Sequence, residues 1–163
     1  MTDERLGKSL LPAIRRLPPG SGIVFRHYAT APSKRRKLFM QIRHIAKARQ
    51  LTLLLSGSPR QAIAWGADGV YGPAGEGLLH AAPVHNAGEL RAARRADIVF
   101  ISPVFATRSH PGAQALGIAG FRKLSARARG AHVIALGGMD GKRARRLGRG
   151  FAHGWAAIDA FIL

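Results

Sequence analysis

Short, solidly apolar runs alternate with segments of helix length from one end of this 163-residue chain to the other. Runs at 22–26, 51–55, 69–71, 78–82, 98–101, 132–136 and 154–158 show little polar alternation. A strand apolar on successive residues has to be covered on both faces, as in a parallel sheet dressed with helices. Regular β-then-α order leaves two architectures, a doubly wound sheet or a (β/α)8 barrel. The intervening helices are expected at 6–17, 34–50, 59–65, 87–95, 118–128 and 140–147. Their signals are local: Pro18-Pro19-Gly20 stops the first, and Ser58-Pro59 starts the third. Asn86 caps the fourth, and Leu38, Ile42, Ile45 and Ala46 recur at helical spacing in the second.

The chain is long enough for one domain with a sizeable core, and residues 1–163 read as a single unit. No cysteine is present, which excludes disulfides and thiolate metal sites. No apolar run approaches the roughly 20 residues that span a bilayer. Asp3, Glu4 and Arg5 come too early for a signal peptide, so a cytoplasmic protein and no membrane partner are expected. Charge is the unusual total: 26 Lys and Arg against 8 Asp and Glu give a net +18. Such a surplus attracts nucleic acid, anionic membranes or phosphorylated small molecules. Arginine drift in a GC-rich genome gives the same total, and composition does not separate the two causes. The basic runs at 34–37, 91–95, 122–129 and 142–149 fall on separate helices without interleaved aromatics. They read as solvated faces, and nucleic acid is not the expected partner.

The segment Ser102-Pro103-Val104-Phe105-Ala106-Thr107-Arg108-Ser109-His110-Pro111-Gly112, followed by Leu116-Gly117, carries a specific pattern. It resembles the loop after the sixth strand of the thiamine phosphate synthase/TenI family. Other segments follow in the family's order. Gly66-Ala67-Asp68-Gly69-Val70 is similar to Gly-Ala-Asp-Gly-Val-His, with Tyr71 where His is usual. Val84-His85-Asn86-Ala87-Gly88-Glu89 is similar to the Ser-x-His-Ser-x-Glu-Glu stretch, and Val133 to Met139 to Val-Val-Ala-Ile-Gly-Gly-Ile/Met. The resemblance implies a (β/α)8 TIM barrel, N-terminally trimmed. Thr2-Asp3-Glu4-Arg5 matches the tail of the family's first strand, that strand being largely missing and the last helix truncated. An edge left exposed in this way would favour homo-oligomer formation.

The resemblance also implies a chemistry, the coupling of hydroxymethylpyrimidine diphosphate to thiazole phosphate with release of pyrophosphate. Arg26 matches the diphosphate-binding Arg at a strand's C-terminal end. Thr107 and Ser109 match loop hydroxyls that contact substrate phosphates, with His110 where Lys is common. Gly137 and Gly138 match a turn whose backbone N–H groups meet the thiazole phosphate, although a Gly pair after a strand equally serves a tight turn. Mg²⁺ belongs to a true synthase. Its Asp ligand is replaced in Ser56-Gly57, and Glu76 is the carboxylate left near the site. Asp159 stands where the family has Ser. His85 matches the acid/base His of TenI-type thiazole tautomerases, and His27 takes the place of that enzyme's partner Glu. A histidine after a strand also serves as a helix cap, so His85 and His27 are catalytic candidates beside that simpler role. Three readings stay open: a transferase of the synthase type, a tautomerase, and a non-catalytic protein that binds phosphorylated ligands.

Overall fold

The computed structural model describes residues 1–107, 112 and 114–160. Two compact units appear, Met1–His80 with Ile158–Leu163 and Ala81–Ala157. In the first, strands β1 (Gly22–Phe25), β2 (Thr52–Ser56) and β3 (Gly69–Tyr71) pair in parallel and in chain order. Between them run α2 (Pro32–Ala48) and α3 (Pro59–Trp65), after an opening 3-10 turn Glu4–Ser9 and helix α1 (Leu10–Arg15). The second unit repeats the plan. Strand β4 (Leu79–Val84) enters it and pairs with β5 (Ile98–Ile101), then β6 (His132–Leu136), then β7 (Gly154–Ala156), all parallel. Helices α4 (Ala87–Ala92), α5 (Gly117–Ser125) and α6 (Gly141–Arg146) link them. The α/β class and the parallel pairing expected from the apolar runs are therefore present.

Helix starts follow local chemistry. Ser58, Asn86 and Asp140 each accept a hydrogen bond from the backbone N–H three residues on, and so cap α3, α4 and α6. The first helix departs from expectation. Gly7 adopts φ 45° inside 6–17, so a 3-10 turn precedes a shorter α-helix. Helices α4 and α5 also stop before 95 and 128, and β7 before 158, where the expected bounds ran too long.

Each unit has its own core. Phe25, Phe39, Ile42, Leu53, Leu55 and Val70 are fully buried in the first. Val84, Val99, Ile101, Val104, Phe121 and Leu147 play that part in the second. Burying one such side chain stabilises by roughly 1.5–3 kcal/mol. Along α2 the fully covered stripe is Arg35, Phe39, Ile42 and Ala46, with spacings of four, three and four. A guanidinium thus occupies a core position, in a run that reads in sequence as a solvated face.

Arg35 satisfies the burial. Its Nε and Nη2 donate to the Arg26 carbonyl at 3.0 and 2.8 Å, and Nη2 donates to the Ser56 carbonyl at 2.7 Å. Nη1 reaches Gln61 Oε1 at 3.3 Å. The group sits 5.4 Å from the Phe25 ring centre and 5.3 Å from that of Trp65, a cation–π arrangement strengthened by desolvation. Arg26 and Ser56 stand at the C-terminal ends of β1 and β2, so one side chain ties the two strand ends together. Other arginines close helix ends similarly. Arg122 donates to the carbonyls of Arg146 and Leu147 at the end of α6, Arg43 to Gly66 after α3, and Arg49 to Leu17. No helix among the described residues is long and apolar enough to cross a membrane.

Replacing Arg35 by Met leaves two buried carbonyls without donors. A loss of about 2–4 kcal/mol is expected, read from urea denaturation midpoints. Arg36→Ala, one residue along on the exposed face, is expected to stay within about 0.5 kcal/mol.

Candidate functional site

Candidate residues of the first unit gather at the C-terminal ends of its strands. Thr2 lies along β1: its N–H donates to the Val24 carbonyl at 2.9 Å, and its Oγ1 accepts from Arg26 N–H at 3.0 Å. The Arg26 side chain is fixed by the same segment. Nε donates to the Thr2 carbonyl at 3.1 Å, and Nη2 pairs with Asp3 Oδ2 at 2.7 Å. Nη1 is the part of this guanidinium with no partner among the described residues. Arg5 holds the other oxygen of Asp3 at 2.8 Å. Burial acts to raise the Asp3 pKa, but hydrogen bonds from Arg5 and the charges of Arg5 and Arg26 outweigh it and hold the carboxyl below its ordinary value. Arg26 is thus preorganised and partly offset in charge.

His27 is buried, has φ 46°, and stacks on Phe25 with ring centres 4.9 Å apart. Its Nδ1 lies 2.9 Å from Thr2 Oγ1. Burial comes first among the causes that push its pKa below 6.5, so a neutral imidazole is the favoured form. His85 belongs to the second unit, and each histidine has a partner within its own unit.

A hydroxyl cluster forms at Ser56, beside the position where the resemblance implies a replaced Asp ligand. Tyr28 Oη and Ser56 Oγ share a short hydrogen bond, and Ser56 Oγ also donates to the Tyr71 carbonyl at 3.4 Å. Burial, then the nearby Tyr28, pushes the Tyr71 phenol up to about 12, so it stays protonated at neutral pH. Arg35 adds a positive charge 2.7 Å from the Ser56 carbonyl. Glu76 is exposed, and no group of three or more His, Asp or Glu among the described residues could hold an ion. Hard divalent cations want several oxygen ligands, usually including carboxylate. Neutral hydroxyls beside a guanidinium do not fit Mg²⁺.

In the second unit, His85 directly follows β4 and is half exposed. Its Nδ1 lies 2.7 Å from Glu89 Oε2, and its backbone N–H donates to the same oxygen at 2.8 Å. Asn86 accepts from the Glu89 N–H at 2.9 Å, while its side-chain amide donates back to Glu89 Oε1 at 2.8 Å. This is a variant of the capping box, with Glu89 reaching the N–H of His85 in place of that of the cap Asn86, and it also orients the imidazole. His85 Nε2 has no partner among the described residues. Burial acts to raise the Glu89 pKa, but hydrogen bonds from His85 and Asn86 outweigh it and keep the carboxyl below its ordinary value. The role of Glu89 was visible in sequence only as an Asn-x-x-Glu spacing.

Gly137 and Gly138 follow β6 with φ 92° and 60°. A Cβ on Gly137 would lie 2.6 Å from Pro103 Cα, and one on Gly138 2.5 Å from the Ala106 carbonyl oxygen. The loop after β5 is zipped onto this turn: Val104 N–H donates to Leu136 O at 2.9 Å and Phe105 N–H to Gly137 O at 3.1 Å. Arg143 donates to the Gly138 carbonyl and covers the Phe105 ring at 5.1 Å. Close packing therefore accounts for both glycines, and the turn presents the start of the Phe105-Ala106-Thr107 loop. Thr107 is half-buried there and takes part in polar or charge interactions. Ser109 and His110 lie outside the described residues. The contact of Arg143 with Phe105 and the hold of Thr2 and Asp3 on Arg26 carry no signal in the sequence, because they join segments far apart along the chain.

A family model described as thiamine monophosphate synthase matches residues 3–161. A protein of Aquifex aeolicus provisionally named thiamine-phosphate synthase 2 is 27% identical over 139 residues, spanning 77% of this chain and 74% of that one. The structure of a thiamine phosphate pyrophosphorylase from Pyrococcus furiosus superimposes with a TM-score of 0.82 at 25% identity. That match covers 98% of this chain and 83% of the other. A thiamine phosphate pyrophosphorylase from Bacteroides thetaiotaomicron shares the fold at TM-score 0.60 and 15% identity, over 94% of this chain and 76% of its own.

The buried imidazole sets a pH dependence. With the folded pKa of His27 below 6.5, the unfolded chain takes up a proton that the folded chain refuses between those two values. Stability from this group is complete above about pH 6.5 and falls as pH drops toward the folded pKa. Urea midpoints at pH 7.5 and 5.5 are expected to differ more in the wild type than in His27→Asn, since Asn tolerates the left-handed backbone.

Proposed function

We propose that this chain, which belongs to the thiamine monophosphate synthase family, couples a pyrimidine diphosphate to a thiazole phosphate. The observation that carries the reading is the clasped guanidinium of Arg26, held at a strand's C-terminal end with Nη1 open. The architecture assigned with it is the family's (β/α)8 barrel, N-terminally trimmed, and it is supported by seven parallel strands in β-then-α order among the described residues and by the likeness to the Pyrococcus protein. In the reaction the bond between the pyrimidine methylene and the diphosphate oxygen breaks, and the electron pair leaves with pyrophosphate. The thiazole nitrogen then forms the new bond to that methylene. The protein's part is to hold both partners in line and to stabilise the charge that develops on the leaving group. Arg26 Nη1 donates to the departing diphosphate, and Asp3 and Thr2 keep the guanidinium from swinging away. Thr107, with Ser109 and His110 beyond it, contacts phosphate oxygens. The Gly137-Gly138 turn fixes the start of their loop at Val104, Phe105 and Ala106. No step is routed through Mg²⁺, since the residues present do not fit it.

A second reading rests on a different observation, the orientation of His85 by Glu89. An imidazole whose Nδ1 is held by a carboxylate offers Nε2 as a base, which suits proton transfer on a thiazole ring. Under this reading the substrate is a thiazole carboxylate phosphate and the product its tautomer.

One assay separates them. Purified protein is given the pyrimidine diphosphate and thiazole phosphate together, and separately the thiazole carboxylate phosphate alone, with products followed by chromatography and NMR. Thiamine phosphate is expected, falling about 10²-fold in Arg26→Gln and little changed in His85→Ala. Tautomer formation lost by about 10² or more in His85→Ala would favour the second reading. Absence of both products would leave the binding role and sink both catalytic ones.

A further inference from the structure

Most arginines described above are consumed by the fold. Among those that are not, four stand together. Arg91 and Arg94, at and just beyond the end of α4, and Arg127 and Arg129, just after α5, line one cleft of about 430 Å³. None of the four has a hydrogen bond or ion pair among the described residues, and no carboxylate is part of the lining. Glu89, on the same helix, is turned toward His85 and Asn86 at its opposite end. The floor is apolar and small, made by Leu90 and Val99 with alanines around them. Val99 is the second residue of β5, and Ala131 immediately precedes β6. The cleft therefore opens at the N-terminal ends of these strands, away from Phe105 and the Gly137-Gly138 turn at their C-terminal ends.

A cation at a helix C-terminus complements the dipole, which accounts for one basic residue per helix. It does not account for four guanidiniums from two helix ends around one hollow, where like charges repel unless an anion answers them. We propose that this cleft binds a compact anion carrying two or more linked phosphates, at a site separate from the strand-end chemistry. Guanidinium forks match phosphate oxygens in pairs, and four of them balance the charge of a di- or triphosphate. The volume falls in the range of small-ligand sites, roughly 300–1,000 Å³. No aromatic ring lines the cleft, so a nucleic-acid base would find nothing to stack on. Recognition then falls on the phosphates, whether of a free polyphosphate or of a nucleotide's tail.

The test is titration of the full chain at 0.15 M salt with inorganic tripolyphosphate, with ATP and with a short single-stranded RNA, followed by calorimetry and by backbone amide NMR. Saturable one-to-one binding of tripolyphosphate is expected, with shifts at Leu90, Val99 and Ala131. Arg91→Gln with Arg127→Gln is expected to weaken it about tenfold or more. Arg36→Gln with Lys37→Gln, on the basic face of α2, should leave it within about twofold. Melting curves check that the variants fold, and Arg94→Gln with Arg129→Gln serves if the first pair does not. Tighter binding of ATP assigns the site to nucleotides, and equal binding to a bare phosphate chain; both support it. Equal weakening by the two double variants, tighter binding of RNA, or no saturable binding would each overturn the proposal.

Discussion

The guanidinium of Arg35 is the point on which the first unit turns. A parallel ladder ends with carbonyls that lack a next N–H, and those at Arg26 and Ser56 both meet this one group. Desolvation lowers the Arg35 pKa, yet three carbonyl contacts and two aromatic rings offset that cost and keep the charge inside. The consequence reaches the surface. With Arg35 beneath them, Ser56, Tyr28 and Tyr71 form a neutral hydroxyl cluster that a divalent cation has little reason to enter.

The net +18 therefore has more than one origin. Arg35, Arg43, Arg49 and Arg122 serve as donors to strand and helix ends, a structural use that accounts for part of the surplus without any anionic partner. Arg26 is set beside Asp3, so its field is partly cancelled and its direction fixed. The arginines of the cleft between α4 and α5 are a different population, with no hydrogen bond or ion pair among the described residues. Counting charges merges these groups, and only geometry sorts them.

Much of the architecture was legible because it rests on local rules. Solid apolar runs implied parallel strands, and Ser58, Asn86 and Asp140 stood where capping side chains begin helices. Gly7 defeated the first helix because one positive φ breaks a turn that the apolar spacing supports. The site was legible only in part. His85 and the Gly137-Gly138 turn carried motif signals, but the Glu89 contact and the fit of Pro103 and Ala106 against the glycines are tertiary facts. Arg35 was hidden for a sharper reason. It stands in the run Lys34-Arg35-Arg36-Lys37, where three neighbours do face solvent, and the covered stripe of Phe39, Ile42 and Ala46 begins only after it.

The central claim is that the hydroxyl cluster clamped by Arg35 does not suit a divalent cation. Mn²⁺ added to isotope-labelled protein, in the presence of thiazole phosphate and pyrophosphate, reports on this directly through paramagnetic broadening of amide signals. The account predicts that Tyr28, Gly57 and Tyr71 keep their line widths at equimolar Mn²⁺. Selective, saturable broadening of those three signals would contradict it.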